Sequence, residues 1–509
     1  MEQFKIIEGG RGGRRNADSE QREEQHDSGR RDVQHDNGRR DNEQRDNEQR
    51  GAQHGEQRES DNAQCVVQHD SAQHGEQSKE QSGEQSKEQR GEQQNSEQHD
   101  EQNNDVSALA ADALQRACDE EFSFSALDVP NRRWAWADID LEAIRQNTKA
   151  IRKHVGAHVD IMAVVKDDGY GHGAVEVARA ALSSGARYLG VATVQEGINL
   201  REAGIEAPVL VLAEPPIETI PFVIRHKLMT TVYTAEFALA LGETADAQGA
   251  TAQYHLKIDT GMNRLGVHYS DAGDFLRSID FHRGLELNGV FTHLATADDT
   301  DTFELRRQLD RLNHAVETIR YMGINPGIVH AANSAALIRF RETHFDMVRP
   351  GIALYGIHSS EATRGAIKLR PAMSIHARVN LIKPVPIGEG VSYNFIYRSP
   401  GGVHIATIPI GYGDGLSRVL SNRMDVLVDG RAYPQVGNIC MDMCMFEVDQ
   451  RSSVLKPRQE VKVGDKVTII GRSGNLEISI EDMAHALGTI SYELLCCFGL
   501  RLNKNYLNQ

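Results

Sequence analysis

Short apolar runs recur along this chain from about Arg132 to Arg370, separated by stretches with helical spacing. The runs are Asp160–Val165, Tyr188–Ala192, Pro208–Leu212, Met229–Val232, Tyr254–Ile258, Leu285–Phe291, Ile328–Ala331 and Met347–Pro350. Each is short, apolar and bounded by polar or turn-forming residues, which is how a buried strand reads. Ala174–Ser183 and Thr302–Met322 are examples of the helical stretches between them. Trp134 to Asn147 reads as a strand running into an amphipathic helix. Eight strands alternating with helices predict an α/β fold, a parallel (β/α)8 TIM-like barrel. A doubly wound sheet has the same rhythm, and periodicity alone does not separate the two.

After about Arg370 the texture changes. Alternating strand-like segments follow one another: Met373–Lys383, His404–Pro409, Met424–Val428 with the turn Asp429-Gly430, Met443–Val448 and Lys466–Gly471. They predict a separate, mainly β C-terminal domain. The N-terminal part has neither pattern. From Met1 to about Asn104 only residues such as Val33, Val66 and Val67 interrupt runs of Gln, Glu, Asp, Arg, Asn, His and Gly. Short polar repeats such as Arg40-Asp-Asn-Glu-Gln-Arg-Asp-Asn-Glu-Gln-Arg50 cannot bury enough apolar area to offset the entropy of ordering. Ser107–Phe122 is alanine-rich and could form a helix or a linker. The expected organisation is a low-complexity, disordered extension over 1–125, a barrel over 132–370 and a β domain over 371–509.

Composition narrows the function classes. A net charge of −17 argues against general nucleic-acid binding. No apolar run approaches the ~18 residues of a membrane helix. The opening residues Met1–Glu8 lack the apolar core of a signal peptide. The cysteines at 65, 118, 440, 444, 496 and 497 show no disulfide-framework spacing. Cys440 and Cys444 have no second pair to complete a zinc site, and the scattered histidines of the N-terminal part have no ligand spacing, so no metal is expected. The reading is a reduced, cytoplasmic protein.

Lys166 is the first candidate for chemistry. It stands at the end of the run Ile161–Val165, within Ala163-Val-Val-Lys-Asp-Asp-Gly-Tyr-Gly-His-Gly173. Burying an ammonium is costly and favours its neutral, nucleophilic form. Such a lysine suits a Schiff base with an aldehyde. Many strands end in a lysine that simply reaches water, so the neighbours decide. In a barrel, chemistry gathers at the C-terminal ends of strands. His293 ends Gly289–Thr292, Asn333-Ser334 follows Val329-His330, and Arg349 follows Asp346-Met-Val. Polar groups repeatedly at strand ends fit one shared pocket.

From about Trp134 to Tyr506 the chain resembles the alanine racemases. The resemblance rests on separated segments in one order: Ala163–Gly173, Lys257-Ile-Asp-Thr-Gly-Met-Asn-Arg-Leu-Gly266, Thr292-His-Leu-Ala-Thr-Ala-Asp298, His330-Ala-Ala-Asn-Ser334, Met347-Val-Arg-Pro-Gly-Ile-Ala-Leu-Tyr-Gly356, and then Val391-Ser-Tyr393, Gly411-Tyr-Gly-Asp-Gly415, Cys440-Met-Asp442 and Ile490-Ser-Tyr-Glu493. Any one is weak; all in order are specific. The resemblance implies a barrel followed by a β domain, and pyridoxal 5'-phosphate carried on Lys166 as a Schiff base. It implies racemisation of alanine by two bases, Lys166 on the D-substrate face and Tyr393 on the L-substrate face, supplying D-alanine for peptidoglycan. A tyrosine with its ordinary pKa near 10 is a poor base at neutral pH. The resemblance assigns His293 and Arg349 to help it.

It also places Arg349 against the pyridine nitrogen of the cofactor. An arginine there keeps that nitrogen unprotonated and weakens the electron sink, which disfavours side reactions. Tyr170, Ser334 and Tyr492, with backbone amides near Gly351 and Ile352, match the phosphate donors. Arg264 and the backbone at Met441 match the binders of the substrate carboxylate. Lys257 matches a lysine that some members carbamylate. A homodimer with shared sites is implied, acting on a small amino-acid substrate. Two departures stand out: Asp167-Asp168-Gly169, where the family usually shows Ala-Asn-Ala, and Asn394, where a glycine is common. The two carboxylates are expected to face away from the site, and His172 to be structural. Racemisation of serine or of a broader amino-acid set is the neighbouring alternative, and a cofactor carrier on the same barrel the non-enzymatic one.

Overall fold

The computed structural model describes residues 133–279, 282–448, 460–499 and 501–509. The expected disordered extension and the helix over Ser107–Phe122 lie outside the described residues.

All eight expected barrel strands form. After an entry strand β1 (Ala135–Asp140) come β2 (Asp160–Val164), β3 (Tyr188–Val191), β4 (Val209–Val211), β5 (Met229–Val232), β6 (Ala252–Asp259), β7 (Leu285–Phe291), β8 (Ile328–His330) and β9 (Met347–Val348). They pair in parallel and in chain order from β2 to β8, and β9 pairs with β2. Between β8 and β9 the ring is closed by single bonds. Asp346 N donates to Val329 O at 3.0 Å and Arg349 N to Ala332 O at 2.9 Å. A doubly wound sheet would place its first strand centrally, so this order selects the barrel. Helices Ala174–Leu182 and Phe303–Tyr321 lie where the sequence expects them.

β1 opens the segment that the sequence assigns to the barrel, yet it lies elsewhere. It pairs antiparallel with β10 (Met373–Arg378) and parallel with Asn503–Leu507, the last strand of the chain. Its alternation of buried and half-buried residues suits the face of a β sheet rather than a barrel stave. The helix Leu141–Val155 then leads into the barrel. Asp140 caps it, accepting from Glu142 N at 3.0 Å and Ala143 N at 3.2 Å, a contribution of about 1 kcal/mol. From this helix Asn147 donates to Leu354 O and Arg370 O. The two halves are therefore interlocked at the chain's entry and exit.

In the β domain, the expected strand Met373–Lys383 is two strands. β10 ends at Arg378 and Leu381–Val385 joins a different, three-stranded sheet with Val403–Ile408 and Cys444–Val448. The switch occurs at two residues: Val379 N donates to Asp465 O and Asn380 N to Thr407 O.

Candidate active site

The C-terminal ends of the barrel strands surround a cavity of about 910 Å³. Lys166, Tyr170, Lys257, Arg264, His293, Ser334, Arg349, Gly351, Ile352 and Tyr492 all line it. These are ten of the twelve expected site residues, drawn together from five strand ends, the loop after β6 and the C-terminal helix Ser491–Phe498.

Lys166 is half-buried rather than fully buried. It enters a tight turn in which Asp167, Asp168, Gly169 and Tyr170 all have positive φ, from 49° to 64°. Left-handed backbone costs roughly 1–2 kcal/mol per residue, least for Gly and Asp. The turn is held from several sides. Gly169 N donates to Val165 O at 2.9 Å and Gly171 N to Asp167 O at 3.0 Å. Asp167 N donates to Glu196 at 2.6 Å. The buried His172 ring donates from Nδ1 to the carbonyls of Gly169 and Tyr170, which gives it a structural place. Of the two unusual carboxylates, Asp168 faces away: it meets Lys504 at 2.9 Å and accepts from Ala174 N. Asp167 instead lines the cavity. Its carboxylate hydrogen-bonds Cys496 and, after burial, is the next cause that pushes this thiol up to about 12.

Across the cavity lies a cluster of hydrogen-bond donors. Ser334 Oγ accepts from Gly351 N at 3.0 Å and Ala353 N at 3.2 Å, so its own hydrogen is free to be donated. A Cβ at Gly351 would come within 2.6 Å of Tyr170 Oη. Only a glycine leaves that space open. Burial raises the pKa of the Tyr170 hydroxyl and lifts that of Tyr492 to about 12, so both remain donors.

Arg349 forms the floor and is buried. It donates to Thr292 O at 2.7 Å, Ala331 O at 3.0 Å and His330 Nδ1 at 2.9 Å. Burial lowers its pKa to about 9, which leaves it a cation at neutral pH. His293 Nδ1 lies 3.4 Å from the same guanidinium. Burial and then Arg349 hold His293 well below its ordinary range. Its loop is fixed by Gln308, which donates to His293 O and to Thr260 Oγ. Lys257 is buried with its Nζ 4.3 Å above the Phe291 ring, and burial, then Arg349 and Arg264, hold its pKa well down.

Tyr393 and Met441 are not brought to this cavity. Both are exposed, at 68% and 53%, and line a second cavity of about 840 Å³ in the β domain. Leu381, Phe395 and Met443, also exposed, share that surface. Sequence reasoning passed over two buried residues behind the floor, His255 and His330. Strand periodicity held the signal: His255 is two residues from Lys257 and faces the same way.

Residues 139–359 match the family model described as alanine racemase, N-terminal domain, and residues 372–506 that of the C-terminal domain. An alanine racemase of Desulforamulus reducens is 41% identical over 374 residues, covering 73% of this chain and 98% of that protein. The crystal structure of alanine racemase from Bacillus anthracis, with bound L-Ala-P, superposes with a TM-score of 0.69 at 38% identity, over 75% of this chain and 96% of that one. A histidine racemase from Leuconostoc mesenteroides has the same fold, with a TM-score of 0.68 at 29% identity, over 74% and 99%.

Proposed function

This chain belongs to the alanine racemase family of isomerases, and we propose that it interconverts L-alanine and D-alanine with pyridoxal 5'-phosphate held at the mouth of the barrel. The observation that carries this reading is the convergence of Lys166, Arg349 and the Tyr170, Ser334 and Tyr492 hydroxyls on one cavity. The chemistry of the donor set fits the cofactor. A phosphate dianion suits the cradle of hydroxyls and Gly351, an aldehyde suits Lys166, and a ring nitrogen suits Arg349. When bound, the cofactor supplies an electron sink that acidifies the α-proton of an attached amino acid.

The protein supplies position and proton traffic. Racemisation needs one group to take the α-proton from one face and another to return a proton to the opposite face. Lys166 serves the D-substrate face through Nζ, and Tyr393 the L-substrate face through its phenolic oxygen. Arg349 would hold the pyridine nitrogen as a donor that keeps its own proton. Arg264 and the Met441 backbone orient the substrate carboxylate. Lys257, whose pKa burial holds well down, is the lysine on which a carbamate would form by addition of carbon dioxide and release of a proton, and that anion would pair with Arg264.

Tyr393 and Met441 do not line this cavity within one chain, and we read them as supplied by a second copy, so that the working unit is a homodimer with shared sites. The exposed apolar surface of Leu381, Phe395 and Met443 supports that arrangement. No helix among the described residues is long and apolar enough to cross a membrane. We read the enzyme as cytoplasmic, acting on a free amino acid, with D-alanine going to peptidoglycan.

The test is D-alanine formation from L-alanine by the purified protein with pyridoxal phosphate, beside serine, lysine, arginine and histidine. Alanine-selective turnover abolished by Lys166→Ala is expected. Preference for another amino acid would move the specificity, and undiminished turnover in Lys166→Ala would end the reading.

A further inference from the structure

Behind the cavity floor, two buried histidines stand in line with Arg349. His330 Nδ1 lies 2.9 Å from an Arg349 terminal nitrogen, and His330 Nε2 lies 2.9 Å from His255 Nδ1. A guanidinium offers N–H donors only. His330 Nδ1 therefore accepts and carries no proton. A neutral imidazole holds one proton, so that of His330 is on Nε2 and is donated to His255 Nδ1. His255 in turn carries its proton on Nε2. The reverse direction would need His330 to be deprotonated at both nitrogens. A doubly protonated His330 would set N–H against guanidinium N–H. Burial and then the Arg349 charge hold His330 well below its ordinary range, and burial takes His255 down to about 4.

The barrel makes room for this pair. A Cβ on Gly289 would lie 2.5 Å from His255 Nδ1 and 2.6 Å from its Cε1. The β6–β7 register slips at this point: Tyr254 faces Leu287 but His255 faces Gly289, leaving Asn288 as the extra residue. Bulges of this kind re-aim a side chain. The His330 ring is fixed by stacking on Phe291, with centroids 4.7 Å apart and planes at 2°.

We propose that His255 is a positioning residue for Arg349: by accepting the Nε2 proton of His330, it locks His330 in the one tautomer that can receive the guanidinium. With no acceptor at position 255, His330 is free to move its proton to Nδ1, and Arg349 loses the contact that aims it. The effect on the cofactor rests on the reading of Arg349 given above; the tautomer assignment does not.

The experiment is nitrogen NMR of the full-length holoprotein with isotopically labelled histidine, in the parent, His255→Gln and His255→Leu. Both histidines of the parent are expected neutral with the proton on Nε2. His255→Gln, which keeps a carbonyl acceptor, should leave His330 in that form. His255→Leu should release it and weaken pyridoxal-phosphate retention about tenfold, as loss of one oriented charged hydrogen bond does. A parent His330 protonated on Nδ1 overturns the proposal, as does an unchanged His330 in His255→Leu. If His255→Leu does not fold, the parent and His255→Gln spectra still decide the tautomer. A chain that never takes up pyridoxal phosphate would refute the cofactor reading, while the same spectra would still decide the tautomer.

Discussion

Lys504 Nζ lies 2.9 Å from Asp168, tying the last strand of the chain to the turn that carries Lys166. The same lysine donates to Gly499 O at 2.9 Å, and Asp168 accepts from Ala174 N at 2.8 Å. Gly171 and Gly499 pack so closely that a Cβ on Gly499 would lie 2.2 Å from Gly171 Cα. The C-terminal segment thus acts as a buttress for a left-handed turn. Asp168→Ala removes a helix-start acceptor as well as the ion pair and should cost about 1–2 kcal/mol. Lys504→Met removes the same pair, screened on the Asp168 side, and the bond to Gly499 O, and should cost about 1 kcal/mol. Denaturant titration checks the order of the two. Both should release pyridoxal phosphate faster than the parent, because the turn orients Lys166.

Gly351→Ala separates the cradle from the fold. Its φ is not in the left-handed region, so the backbone tolerates alanine. The new methyl would come within 2.6 Å of Tyr170 Oη and close the phosphate space. Affinity for pyridoxal phosphate should fall at least about tenfold, equivalent to losing a charge-assisted hydrogen bond. Apo-protein stability should move by under about 1 kcal/mol. A fluorescence titration of cofactor beside a melt of the apo protein reads both.

Tyr393→Phe should abolish most racemisation, by about 10² or more for loss of a general acid–base group. With 68% of Tyr393 exposed, stability should stay within about 0.5 kcal/mol of the parent. Solvent-deuterium incorporation gives the finer check. D-Alanine should still exchange its α-proton through Lys166, whereas exchange from L-alanine should fall. Equal loss from both enantiomers would count against the two-face assignment.

Met443→Glu tests the second copy. Met443 is exposed beside Tyr393 and Met441, so the monomer has no reason to unfold. Sedimentation should show a dimer in the parent and weaker association in the variant. Activity should fall with protein concentration along the same curve. A parent that is monomeric and fully active would remove the shared-site reading.

Acid should weaken the fold through its buried histidines. His172 and His255 are buried, and burial lowers each to about 4. The unfolded chain protonates them near 6.5. Stability is therefore complete above about pH 6.5 and lost as pH falls from there toward about 4. The unfolded state binds more protons in that window. Each group contributes a slope of about 1.4 kcal/mol per pH unit, roughly 3 kcal/mol across the window. His172→Phe should flatten the slope by about one proton, even though it also loses the bonds to Gly169 and Tyr170. An unchanged slope would show that His172 does not titrate on unfolding.

The barrel strands were legible in the sequence because each is a short apolar run that must be buried whatever its neighbours are. Lys166, His293, Ser334 and Arg349 were legible because parallel strands deliver their C-terminal ends to one side, so these four had to share a mouth; Tyr170, Lys257, Arg264, Gly351, Ile352 and Tyr492 were named only by the family resemblance. Tertiary structure alone decided what depends on closure and pairing partners. The strand at Ala135 alternates as the face of a sheet does, but its alternation does not name its partners, here Met373–Arg378 and Asn503–Leu507, because pairing is made with segments far away in the chain. Barrel and doubly wound sheet share one periodicity, and only the pairing order, with β9 against β2 and single bonds from β8 to β9, distinguishes them. The direction of Asp168 was set by Lys504, and the line from Arg349 to His255 by a bulge and Gly289, contacts far apart in the chain. The sequence by itself determined which residues must be buried and which polar groups stand at strand ends; the three-dimensional packing decided which of those groups meet, because hydrogen bonds and ion pairs act over a few ångströms of space and not along the chain.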